Sequence, residues 1–144
     1  MRKIDLLTRA SKDIWLARVG LNNLTGDEIE YDVIGYHVQQ AVEKLMKFIL
    51  NERGIRFRKD HFIEQLVEQF EDNGIEVPDW VEVNSVMITS WATVTRYGES
   101  LVVVKGKMIE ILDKVDIWLQ QQQEQQQQQQ KQNISVPESN SFSK

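Results

Sequence analysis

Apolar residues in this chain recur at intervals of three and four over long stretches, and almost nowhere at intervals of two. A helix turns a side chain back to the same face every 3.6 residues and a strand every two, so the pattern allows helices and gives strands little support. Only Pro78 and Pro137 interrupt it as prolines. Five helical segments are predicted. The first, from about Ile4 to Leu21, places Leu7, Ala10, Ile14, Ala17 and Leu21 on one face. The second, in 31–54, carries a stripe of Tyr31, Ile34, Val38, Val42, Leu45 and Ile49, with Gly54 as its stop. The third follows Asp60 as N-cap and carries Phe62, Ile63, Leu66, Val67 and Phe70. The fourth, Val81 to Tyr97, groups Val83, Met87, Trp91 and Val94. The fifth spaces Leu101, Val104, Met108, Ile111, Val115 and Trp118 as an a/d seam.

Short links between such helices predict an all-α fold, an up-and-down antiparallel bundle of four to five helices with a Gln-rich C-terminal extension. Residues 1–119 are expected to form the bundle. Residues 120–144 are expected to extend the last helix and then to run out as a disordered tail, because "NISVPESNSFSK" offers too little apolar surface to fold. The chain has no cysteine, which removes disulfides, thiolate nucleophiles and Cys-based metal sites. No stretch has the length and apolarity of a leader or a membrane span, so a cytoplasmic protein with no membrane partner is expected. A net charge of −5 argues against broad non-specific binding to nucleic acid, while leaving room for a local basic patch.

Few polar residues stand out. His37 lies on the flank of the second helix with Gln40 and Lys44, and reads first as a boundary histidine bonded to a neighbouring helix. Its chemical alternative is a general base or a base-stacking ring. Glu43 and Lys47 form an i,i+4 pair, expected to be solvated. His61 follows the N-cap of the third helix. Neither histidine has a glutamate three residues before it, so a bundle di-metal site is not expected, nor is any cofactor. The connector "RGIRFRK" gathers Arg53, Arg56, Arg58 and Lys59 around Phe57, a set suited to phosphates and a base, or simply a solvated loop. Reckoned from the Val83–Met87–Trp91 stripe, Arg96 falls on the side of its helix away from the core, where its planar fork suits phosphate or an interface.

Three of these segments, taken in order, resemble the HEPN (higher eukaryotes and prokaryotes nucleotide-binding) domain. "YHVQQAVEKLMKFILNERG" is similar to the family's second helix, "KDHFIEQLVEQF" to its His-led third helix, and "TRYGES" to the end of its fourth, with Gly98 where proline is common. The resemblance covers about residues 4–119. It implies an up-and-down bundle that forms a homodimer, often paired with a minimal nucleotidyltransferase protein. It also implies nucleotide or RNA as ligand.

Many members of that family are metal-independent ribonucleases, some of them toxins of toxin–antitoxin pairs. They use an arginine followed four to six residues later by a histidine, two copies facing each other in the dimer cleft. Here Arg96 would be the arginine, with His37 as a histidine brought from elsewhere, because no histidine follows Arg96 in the chain. The expected function is therefore a nucleotide- or RNA-binding or assembly module with an incomplete ribonuclease motif, a catalytic ribonuclease being the alternative. Arg96, Tyr97, Arg56, Arg58 and Lys59 are its expected nucleotide- or RNA-binding residues. Gln39, Gln40, Glu43 and Lys44 are expected to serve the fold and the interface. Glu99 is the nearest acid in sequence to neutralise an Arg96 groove.

Overall fold

The computed structural model describes the backbone of residues 5–97 and 103–142, and the side chains of 5–92 and 103–132. Among these the chain is all-α, with α1 (Leu6–Asn22), α2 (Ile29–Glu52), α3 (Ile63–Asp72), α4 (Asp79–Tyr97) and α5 (Lys105–Phe142). Residue pairs across the interfaces fix the directions. Gly20 lies against Ile34 and Asp13 bonds both His37 and Lys44, so α1 runs antiparallel to α2. Arg18 reaches Asp113 and Asp116 while Leu7 faces Gln123 and Gln126, so α1 is antiparallel to α5 as well. Trp80 meets Trp118 edge-on, with ring centroids 5.6 Å apart, at the end of the bundle opposite the Gly35–Val103 contact. The result is an up-and-down bundle.

Helix α2 is its axis, packed against every other helix. From Val38 to Leu50 it is buried almost all round, and only Gln40 and Lys44 keep partial exposure. The predicted stripe Ile34, Val38, Val42, Leu45 and Ile49 is buried, but so are Met46, Phe48 and Leu50 on other faces. Glu43 and Lys47, expected in solvent, are 3% and 7% exposed. The reason is topological: a helix packed on several sides has no face left for water.

Three further expectations change. In α4 the buried set is Val81, Ser85, Ile88, Thr89 and Trp91, whereas Val83 is 82% and Val86 69% exposed. Of the expected stripe Trp91 is buried and Met87 half-buried, Val83 faces out and Val94 lies outside the described residues; with valines on both faces, spacing alone turned the stripe partly the wrong way. Arg96, whose placement was reckoned from that stripe, has its side chain outside the described residues. Secondly, Asp60 does not cap α3. The helix begins after Phe62, which makes no side-chain cap bond, and Thr89 Oγ1 of α4 accepts the Ile63 amide at 2.9 Å. Lastly, α5 starts at Lys105 with Val104 exposed, while Met108, Ile111, Leu112, Val115, Trp118 and Leu119 form its inner face.

Both α2 and α3 stop by one device. Gly54 (φ 72°) and Gly74 (φ 67°) take the left-handed conformation that a Cβ disfavours. The Ile55 amide then reaches back to Leu50 and the Ile75 amide to Phe70, closing each helix with orphan carbonyls satisfied. Gly54 thus acts as predicted, and it launches the basic connector.

Candidate functional site

The connector 53–59 is held from beneath. Gln69 of α3 donates its amide to the Arg56 carbonyl at 3.0 Å, and its oxygen accepts the Arg58 amide at 3.2 Å. Lys47 donates to the Asp60 carbonyl at 3.3 Å and Gln39 to the His61 carbonyl at 3.3 Å. Backbone polar groups on both sides of the segment are therefore turned inward and satisfied. Arg53, Arg56, Arg58 and Lys59 stay exposed. Among the described residues none of the four pairs with a carboxylate. Residues 54–59, with Asn51, line an open depression of about 820 Å³. Phe57 is only part of its surface, because Lys47 lies over the ring with its ammonium 5.3 Å from the centroid. The predicted aromatic among the cations is thus half taken by the protein itself.

What holds the connector is a buried polar stripe on α2. Gln39, Glu43 and Lys47 follow each other at spacing four and so stack along one line of the helix. Glu43 accepts from Gln39 at 3.1 Å, from Lys47 at 3.2 Å and from His61 Nδ1 at 3.1 Å. Gln40 donates to Gln39 at 2.7 Å. Thr89 extends the polar layer, accepting from Ile63 and donating to Glu64 at 2.8 Å. Among the described residues no buried side-chain polar atom lacks a partner. A buried carboxylate with that many donors is a strong positional constraint. His61, half exposed, is therefore a clamp that ties the segment before α3 to Glu43 of α2.

A second cluster stands between α1 and α2. Asp13, buried, accepts from Lys44 Nζ at 2.6 Å and contacts His37 Nδ1 at 3.0 Å. Facing a carboxylate, which can only accept, Nδ1 carries the hydrogen. The His37 side chain is 26% exposed and meets Tyr36 edge-on. Sequence reasoning passed over Asp13, yet a signal was there. It sits among Ala10, Ile14 and Ala17 on the apolar face of α1, where an acid requires partners.

These clusters do not meet at one point. His37 belongs to the α1–α2 face and Arg56, Arg58 and Lys59 to the α2–α3 connector. Arg96 and Tyr97 end α4, and their side chains, like Glu99, lie outside the described residues. Among the described residues no group of histidines and carboxylates is placed to hold a metal ion. None of the described helices is long and apolar enough to cross a membrane.

Neither a curated protein nor a solved structure matches the chain. A model of the HEPN domain matches residues 4–121, from the start of the first helix to the edge of the glutamine run. That match spans the bundle, the Glu43–His61 clamp and the basic connector alike, and the helical architecture agrees with it. The chain belongs to the HEPN domain family, a class of helical modules related to nucleotides and RNA.

Proposed function

We propose that this HEPN domain binds RNA or nucleotide phosphates along the Arg53–Lys59 connector, and that it does so as an assembly module rather than a nuclease. The observation that carries the reading is a row of cations without anionic partners on a backbone tied down by Gln69, Lys47 and Gln39. Cations left unpaired in a chain of net charge −5 are costly company for one another unless an anion neutralises them. A pre-fixed backbone removes part of the ordering cost that a flexible loop would meet on binding. Membership of the family supports the assembly part of this reading. A homodimer forms, with the Arg96 end of α4 in its groove, and a minimal nucleotidyltransferase is the partner protein. The outward Val83 and Val86 of α4 supply apolar surface of the kind that subunit contacts cover.

Titration with a fluorescent single-stranded RNA tests the binding. The triple variant R56A/R58A/K59A is expected to weaken it at least about tenfold and to flatten the salt dependence by about two units of log–log slope. Binding that ignores both salt and these residues would overturn the reading. Light scattering checks the dimer, and co-purification with a nucleotidyltransferase encoded nearby checks the partner.

The Asp13–His37 pair favours a second reading, a metal-independent ribonuclease of the toxin type. A carboxylate-oriented, partly exposed imidazole is an arrangement that can move protons in RNA 2′-OH attack, and Arg96 would hold the phosphate. It predicts RNA cleavage abolished by His37→Ala or Arg96→Ala. RNA left intact over hours by the pure protein would end it.

A further inference from the structure

Beside the connector lies a narrower depression of about 350 Å³, between the C-terminal ends of α2 and α3 and the glutamine-bearing part of α5. Phe48, Phe70, Ile75 and Trp118, all buried in the core, close it from beneath and leave only their edges to it. One wall consists of Gln122, Gln125, Gln126 and Gln129, whose spacing of three and four puts them on one face of α5. At the rim stand Glu52, Arg53 and Glu76. Arg53, which lines this depression, is followed directly in the chain by Gly54 to Lys59, which line the open basic one.

A wall of neutral amides over the edges of buried apolar side chains, with Arg53 beside it at the head of a basic segment, suits a planar heterocycle joined to phosphate. We propose that this depression receives the base of a nucleoside phosphate whose phosphate lies along Arg53–Lys59. The inference rests on the phosphate-binding reading of the connector and adds to it a base site. Each part of the wall has a task. A carboxamide offers donor and acceptor side by side, the combination that pairs with a base edge, as glutamine does with adenine. Glu52 and Glu76 repel a phosphate from the depression itself, so the charged end stays outside, and they can accept from sugar hydroxyls or an exocyclic amine. The volume is at the small end of ligand pockets, about 300–1,000 Å³, and suits a base with its sugar rather than a longer strand. The glutamines that make the wall lie beyond residue 121, outside the stretch that matches the family. The base site is thus a feature of this chain's own extension.

Calorimetric titration of the full chain with adenosine, ribose 5-phosphate, AMP and a short oligoadenylate tests this. AMP is expected to bind about tenfold more tightly than ribose 5-phosphate, the scale of one base edge paired with a carboxamide. Q122A/Q126A should erase that preference and leave ribose 5-phosphate unchanged, both glutamines being partly exposed on α5, and an unaltered melting temperature checks that the fold is kept. R56A/R58A/K59A should weaken AMP and ribose 5-phosphate alike while adenosine still binds. Equal affinity for AMP and ribose 5-phosphate, or an AMP preference untouched by Q122A/Q126A, overturns the base site and leaves the connector's phosphate binding standing. Ribose 5-phosphate and oligoadenylate that fail to bind overturn the connector reading, while glutamine-dependent adenosine binding would keep the pocket. Competition between AMP and oligoadenylate tells a free nucleotide from the end of an RNA strand: an oligonucleotide that displaces AMP uses the same pocket, and one that binds alongside it does not.

Discussion

At the scale of single residues, Glu43 decides most. Its carboxylate is buried and receives Gln39, Lys47 and His61. Removing one member of a buried ion pair strands the other, which costs about 3 kcal/mol or more, whereas a solvated i,i+4 pair is worth only about 0.5. Glu43→Ala is therefore expected to lower unfolding free energy in urea by roughly 3 kcal/mol. The double variant E43Q/K47M should cost clearly less than the sum of its parts, because neither charge is then stranded. A loss under about 1 kcal/mol for Glu43→Ala would return the pair to the solvated class. Asp5 offers the pH counterpart. The Thr8 hydroxyl and amide donate to its carboxylate and hold its pKa below the ordinary 3.8. A depressed folded pKa means stability that is present above the unfolded value and lost as pH falls through the folded one. Wild type and Asp5→Ala should differ by about 1 kcal/mol near neutrality, the usual worth of a helix cap, and converge in acid melts once pH has dropped well below 3.8.

At the scale of elements, α3 depends on a neighbour to begin. Phe62 provides no cap, and Thr89 of α4 accepts the Ile63 amide while donating to Glu64. Thr89→Val keeps the shape and removes the hydroxyl, leaving a buried amide without its acceptor. A cost of about 1–3 kcal/mol follows, with Thr89→Ser recovering part of it. Hydrogen exchange gives the local readout: the Ile63 amide should lose protection more than the middle of α2. Unchanged protection there would mean that another acceptor serves the helix start. The same dependence ties α3, and through Gln69 the connector, to α4.

For the whole molecule, the closeness of α2 to the α4–α5 link sets the frame. A Cβ on Gly35 would stand 2.9 and 3.1 Å from the Val103 methyls and 3.6 Å from the Trp91 ring. Gly35→Ala is expected to destabilise by about 1–3 kcal/mol through overpacking. Val103→Ala in the same chain should restore part of that loss, since the clash is with its methyls. Denaturant midpoints of the two single variants and the double variant measure it, and purely additive losses would place the strain elsewhere.

The sequence by itself determined the helical class, five segments, the Gly54 stop and most of the core of α1, α2 and α5. All of these follow from local spacing, which a helix converts directly into a face. The motif order "YHVQQAVEK", "KDHF" and "TRYGES" also carried the family, later matched over 4–121. Tertiary structure alone decided the rest. Spacing reports that a face is apolar, but not how many neighbours a helix will have. So it could not foresee that α2 would be enclosed and that Glu43 and Lys47 would be buried with it. Nor could it choose between the two valine-bearing faces of α4, because Val81 and Val83 differ only in which side the other helices occupy. The partners of Asp13, the cap from Thr89 and the grip of Gln69 on the connector join residues far apart in the chain. Only packing brings such groups within hydrogen-bonding distance.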